Sequence, residues 1–203
     1  MRLMRSTFGA QLLSGSAMAI KLLFVQGGGE GAHDDWDDKL VRSLRTELGD
    51  DYEIRYPRMP DEADPRYAAW TAELRKEFAR LGDGALLVGH SIGATILIAM
   101  LAEGPPEQLP GGIFLIAAPF IGKGGWPSND IQPMTRLGAR LPQGTPIHLY
   151  HGDKDEIAPI DHAAMYQKAI PQAVVHRLAS RDHQLNEDLA EVAADIRKLG
   201  SGR

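Results

Sequence analysis

The 203-residue sequence predicts a single α/β domain: a mostly parallel sheet of roughly six strands with helices on both faces. Three observations predict it. Short apolar runs alternate with segments of helical periodicity along almost the whole chain, which is the signature of repeated β-α units. The apolar runs are nearly continuous rather than alternating, as strands covered on both faces require. No internal repeat, low-complexity segment or linker divides the chain, and its length suits one core. The domain is expected over 18–203, with 1–17 as a disordered N-terminal extension.

The elements follow in order. IKLLFVQ, from Ile20, is a buried strand ending in glycines. Trp36, Leu40, Val41, Leu44 and Leu48 recur at helical spacing, and Gly49 stops that helix. YEIRYP is a second strand, and MPDEADP a loop whose Pro65 fits a first helical turn. Tyr67, Trp70, Leu74, Phe78 and Leu81 form one stripe of an amphipathic helix. ALLVG is the third strand, and Ile92 to Glu103 a mostly buried helix ended by Gly104 and Pro105. GIFLIAA, PIHLYH and AVVHRL complete the strands. Between them lie a loop-rich stretch from Pro119 to Pro146 and a helix near Asp161 to Ile170. Leu185, Leu189, Val192, Ile196 and Leu199 predict a final amphipathic helix.

Composition excludes several classes of function. A net charge of -5 leaves no basic footprint for nucleic acid, and no Lys/Arg block is dense enough for an anionic membrane surface. Cysteine is absent, which removes disulfides, a thiol nucleophile and thiolate metal sites. The longest apolar stretch, Ile92 to Ala102, is about half the roughly 20 residues a bilayer span needs. Residues 1–19 carry Arg2, Arg5 and a cleavage-like A-M-A, but Gln11, Ser14, Gly15 and Ser16 interrupt the apolar core of a signal peptide. A cytoplasmic location is therefore expected, with export as the alternative, and Met18 is a candidate natural start.

LLVGHSIGATILIAM breaks an apolar run with one hydroxyl between two glycines. Ser91 falls at the carboxyl end of a strand, where parallel α/β sheets place their ligands. Gly89 and Gly93 leave room for a sharp turn that holds the side chain above the sheet. The helix N-terminus behind it favours developing negative charge. The bland alternative is a Gly-rich turn with an N-cap serine. G-H-S-I-G also matches the G-x-S-x-G nucleophile elbow, whose partners follow in the order Ser, acid, His. PIHLYHGDKDEIAP places Asp155 just past a strand end, with Asp153 as the alternative acid. AVVHRLASRDHQLNEDL places His183 in the loop before the last helix, whereas His176 lies inside the strand and His33, His148, His151 and His162 precede it. Three weak signals in this order reinforce one another.

With these residues the chain resembles a compact α/β-hydrolase of the serine-hydrolase type over roughly Ile20 to Leu199. The resemblance implies a Ser91–Asp155–His183 triad cleaving small to medium carboxylic esters or thioesters through an acyl-enzyme, with no cofactor. It also implies that the glycine loop VQGGGEG gives one oxyanion N–H and the residue after the serine the other, assigned to Gly28 and Ile92. Gln26 stands where relatives often carry histidine, so Gly27 and Gly29 remain open as donors. The first hairpin of larger members is missing, and only a short loop and helix follow GIFLIAAP where many relatives insert a lid. Trp36, Trp126 and Met134 flank the expected cleft, as pocket walls or as core.

Two other readings compete. Gly27, Gly29 and Ala32 fit the G-x-G-x-x-A dinucleotide fingerprint, but Asp34, Asp35, Asp37 and Asp38 crowd the place of a pyrophosphate. Those aspartates are most simply a charged helix start. A hydrolase fold with a vestigial site, kept for binding a partner protein, is the alternative of a different class; a dehalogenase would need a carboxylate at Ser91. Amidase and thioesterase chemistry use the same machinery, and oligomeric state is not encoded in these patterns.

Overall fold

The computed structural model describes residues 19–104 and 107–200. The extension expected over 1–17, and Pro105 as a helix stop, lie outside the described residues. Six strands form one sheet: β1 (Ile20–Val25), β2 (Tyr52–Arg55), β3 (Leu86–His90), β4 (Gly112–Ile116), β5 (Ile147–Gly152) and β6 (Val174–Leu178). Their order is β2-β1-β3-β4-β5-β6 and every neighbouring pair is parallel. Helices α1 (Asp38–Leu48), α2 (Tyr67–Leu81), α3 (Ser91–Glu103), α4 (Leu137–Arg140), α5 (Asp161–Ala169) and α6 (Ala190–Gly200) make the crossovers and the C-terminal end.

Side chains on a strand alternate between faces, so each apolar run supplies two cores at once. Leu22, Phe24, Val88, Phe114 and Ile116 pack with Leu40, Val41 and Leu44 of α1 and Val192 and Ile196 of α6. Leu23, Val25, Leu87, Ile113 and Leu115 pack on the other face with Trp70 and Leu74 of α2 and Ile96 and Leu97 of α3. This is why the strands read as continuous apolar runs. Helix α3 is apolar on nearly all sides because it is buried along almost its whole length, between the sheet, α2 and α4. No described helix is long and apolar enough to cross a membrane.

Two boundaries differ from the sequence expectation. Trp36 is not the first residue of the buried stripe of α1: residues Ala32–Asp37 form a wider π-type turn, which leaves Trp36 52% exposed and buries Asp37. Leu185 is buried but belongs to a separate turn, Leu185–Glu187, in which Asn186 has φ 57° and cannot continue a helix. Helix α6 therefore starts at Ala190, whose N–H donates to Asp188 Oδ1 at 3.0 Å. The stretch from Pro119 to Pro146 holds only α4 and a bridge between Ile121 and Trp126, so no inserted lid covers the carboxyl end of the sheet.

Candidate active site

Ser91 sits at the junction of β3 and α3 with φ 51°, a left-handed conformation costing a non-glycine residue about 1–3 kcal/mol. Close packing enforces the turn. A Cβ on Gly93 would lie 2.0 Å from the Gln26 carbonyl oxygen, and one on Gly89 2.7 Å from Ala94 Cα. The helix is thus pressed against the end of β1, and the Ser91 side chain is lifted above the strand ends.

Ser91 Oγ lies 2.9 Å from His183 Nε2, and His183 Nδ1 lies 2.9 Å from Asp155 Oδ2. A carboxylate only accepts, so Nδ1 carries the proton and Nε2 presents its lone pair to the serine hydroxyl. Asp155 stands just past β5, where Oδ1 accepts the N–H groups of Ile157 at 2.9 Å and Ala158 at 2.8 Å. His151 Nε2 lies 3.3 Å from Oδ2. Burial works to raise the Asp155 pKa, but the hydrogen bonds from His151 and His183 outweigh it and hold the carboxyl well below its usual range. Burial pushes His183 below the usual imidazole value, Asp155 works in the opposite sense, and positive charge on nearby His90 adds to the lowering. The group facing the serine is therefore a neutral imidazole at neutral pH.

Asp153 is placed differently from Asp155. It is exposed, and its Oδ1 accepts the Ser180 N–H at 2.7 Å.

The glycine loop after β1 is held by two carboxylates. Gly27 N–H donates to Asp37 Oδ2 at 2.6 Å, and Gly29 N–H to the Glu62 carbonyl at 2.6 Å. The Glu62 carboxylate accepts the N–H groups of Gly31 and His33 and the Gln26 side-chain amide. Gln26 Oε1 in turn accepts Met59 N–H at 3.0 Å, which ties the loop to the segment before α2. Among the described residues, Gly28 N–H has no acceptor, and Gly28 is exposed at the cleft beside Ser91 and Ile92. The same commitments leave no cradle of free N–H groups for a pyrophosphate.

A cleft of about 600 Å³ opens over Ser91. Gly28, Pro65, Ile92 and Trp126 line it, with exposed Trp36 and Ile157 on its walls. Met134 does not line it. It borders a separate cavity of about 30 Å³ with Ile98, Phe120 and Tyr166, because the stretch after β4 turns it against α3 and α5. Among the described residues, His148, His176 and Asp195 have metal-ligand composition. They lie among β5, β6 and α6 rather than in the cleft. The two rings are nearly parallel at 14°, with Nδ1 of His148 3.1 Å from Nε2 of His176 and centroids 5.4 Å apart, so the nitrogens face each other in a hydrogen bond. Lys198 Nζ donates to Asp195 Oδ1 at 2.7 Å and supplies the countercharge.

The sequence reading gave no part in holding the site to four buried or half-buried polar groups: Gln26, Asp37, Glu62 and His90. Asp37 looked like its three acidic neighbours, and only the π-type turn separates it from them.

A family model described as serine hydrolase matches residues 22–188. No curated protein matches the chain in sequence. Solved structures match its fold. The esterase domain of a Rhodothermus marinus protein shares 19% identity over 90% of this chain and 87% of its own, with a TM-score of 0.64. A serine hydrolase involved in carbazole degradation shares 13% over 92% of each chain, with a TM-score of 0.69. The ydeN gene product of B. subtilis shares 18% over 91% of this chain and all of its own, with a TM-score of 0.65. All three share the α/β-hydrolase fold with this chain.

Proposed function

The chain belongs to the serine hydrolase family, and from that premise we propose that it cleaves small to medium carboxylic esters with Ser91, His183 and Asp155 as its triad. One observation carries this reading. The hydrogen-bond path from Ser91 Oγ through His183 to Asp155 is continuous, with both steps at 2.9 Å, beside the Gly28 N–H, which has no acceptor among the described residues.

Ser91 Oγ attacks the ester carbonyl carbon while its proton passes to His183 Nε2. The carbonyl π pair moves onto oxygen, and the backbone N–H groups of Gly28 and Ile92 receive the resulting oxyanion. Ile92 lies in the first turn of α3, where an N–H has no partner within the helix. Each such donor is worth roughly 10²–10³ in rate. His183 imidazolium, paired with Asp155, then protonates the leaving alkoxide oxygen as the carbon–oxygen bond breaks. Water enters through the open cleft, gives its proton to His183 and attacks the acyl-enzyme, releasing the acid and Ser91. Asp155 stays ionised throughout and fixes the tautomer.

The apolar walls at Pro65, Ile92 and Trp126 favour substrates with uncharged acyl or alcohol groups near the scissile bond. The test is intact mass after incubation with a fluorophosphonate. A single adduct on the wild type and none on Ser91→Ala supports the reading, and an ester, thioester and amide panel then orders the substrates. Folded protein that takes no adduct refutes it.

A further inference from the structure

Two buried ionisable side chains beside this site take no part in the proton path. His90 ends β3, next to Ser91, and is 2% exposed; Asp37 closes the π-type turn and is 1% exposed. His90 Nδ1 lies 2.9 Å from Asp37 Oδ1 and 3.0 Å from Oδ2. Its Nε2 lies 3.1 Å from the backbone carbonyl oxygen of His183. A carbonyl only accepts, so Nε2 carries a proton. Asp37 already accepts Gly27 N–H at 2.6 Å, and its bond to Nδ1 needs a second ring proton. The contacts are all satisfied when His90 is an imidazolium facing a carboxylate.

We propose that His90 and Asp37 are positioning residues for the hydrolysis: a buried imidazolium–carboxylate pair that locks the oxyanion loop to the base loop beneath Ser91 and sets the charge His183 faces. The inference rests on the triad reading above. Through Asp37 the pair fixes the Gly27 N–H, one residue before the proposed oxyanion donor. Through His90 Nε2 it fixes the backbone of the base itself. The two imidazole rings stand 4.9 Å apart at centroid, tilted by 54°.

The charges around both rings are few. His183 faces Asp155 from the loop after β5, His90 from β3 and, more weakly, Asp37. His90 faces Asp37, with a smaller influence from Asp155, and touches the base loop through the His183 carbonyl. His151 bears on Asp155 from β5. Burial acts against a charged His90, but the Asp37 carboxylate outweighs it and raises the ring above its ordinary value. The positive ring then disfavours a second positive charge on His183.

The test uses the full chain. Ring-nitrogen NMR of the wild type, with His90 assigned by its loss in His90→Gln, is expected to show both His90 nitrogens protonated at pH 7. A neutral His90 tautomer at pH 7 overturns the proposal. Asp37→Asn is the kinetic arm, because an Asn side chain keeps the Gly27 bond through its oxygen and donates to a neutral His90. In that variant the positioning bonds are kept, so KM is expected within about twofold of wild type and the positive charge on His90 is what is lost. The acid limb of kcat/KM should move to higher pH, a change that a merely structural role would not produce. An unmoved limb overturns the proposal while fluorophosphonate labelling of Ser91 leaves the triad intact. Absence of labelling on the wild type removes the triad reading and this inference with it.

Discussion

Replacing Asp155 with Asn isolates one proton. Asp155 Oδ1 is committed to the N–H groups of Ile157 and Ala158 at 2.9 and 2.8 Å, and the Asn oxygen keeps those bonds. The amide NH₂ must then occupy the Oδ2 position, 2.9 Å from His183 Nδ1. A donor there forces Nδ1 to accept, which moves the imidazole proton to Nε2, facing Ser91 Oγ. The base now offers a proton where it should take one. By analogy with the same exchange in other triads, kcat should fall about 10⁴-fold, near 5.5 kcal/mol at 1.36 kcal/mol per factor of ten. Fold and melting temperature should change little, because the loop keeps its two backbone bonds. Steady-state hydrolysis of a chromogenic short-chain ester, with circular dichroism as the folding control, measures both. Turnover within tenfold of wild type in folded Asp155→Asn refutes the tautomer argument. So does a larger loss in Asp153→Asn, whose carboxylate accepts the Ser180 N–H at 2.7 Å and not a histidine among the described residues.

Other perturbations test neighbouring parts of the site. Gly93→Ala drives a Cβ to 2.0 Å from the Gln26 carbonyl, so about 1–3 kcal/mol of stability should be lost, a drop of roughly 3–10 °C in Tm by differential scanning fluorimetry. Ser91→Gly relieves a φ of 51° and should raise Tm by a few degrees, at about 1 kcal/mol, while abolishing hydrolysis. The acid limb of kcat/KM should lie below pH 6.5, because burial lowers His183 and the base works only when neutral; a limb above about 6.5 contradicts that direction. The same depression means the unfolded chain binds that proton first, so His183 costs stability as pH falls below about 6.5. His90, raised by Asp37, contributes in the opposite sense: stability present below about 6.5 that is lost as pH rises through its folded value.

The parts of this site that depend on local chain chemistry are legible in the sequence. Ser91 is announced by two glycines whose missing Cβ atoms make the turn possible, and the apolar runs place Asp155 and His183 just past strand ends. The family resemblance assigns Gly28 and leaves Gly27 and Gly29 open; the commitments of Gly27 to Asp37 and Gly29 to Glu62 leave Gly28 the one of the three whose N–H has no acceptor among the described residues. What the sequence leaves open depends on rotation about a helix axis or on long-range packing. Trp36 and Asp37 exchange the exposures that a regular α-helix would give them, because the turn is wider there. Met134 lies in a stretch without periodicity, where position along the chain says nothing about which cavity a side chain meets. His90 carries no role in the sequence reading, because its partners come from segments 53 and 93 residues away.

The chain separations within the site carry a consequence for how activity is acquired. Ser91 and His183 are 92 residues apart, and Asp155 and His183 are 28 apart, each at the end of a different β-α unit. Such contacts close late, because long loops must lose their freedom before any bond rewards them. During refolding, secondary structure and buried tryptophan signals should therefore return before hydrolysis does. A nascent chain carrying the elbow but not yet β6 also lacks His183, the proposed base, so on that proposal the onset of hydrolysis is a clock for the docking of the final strand.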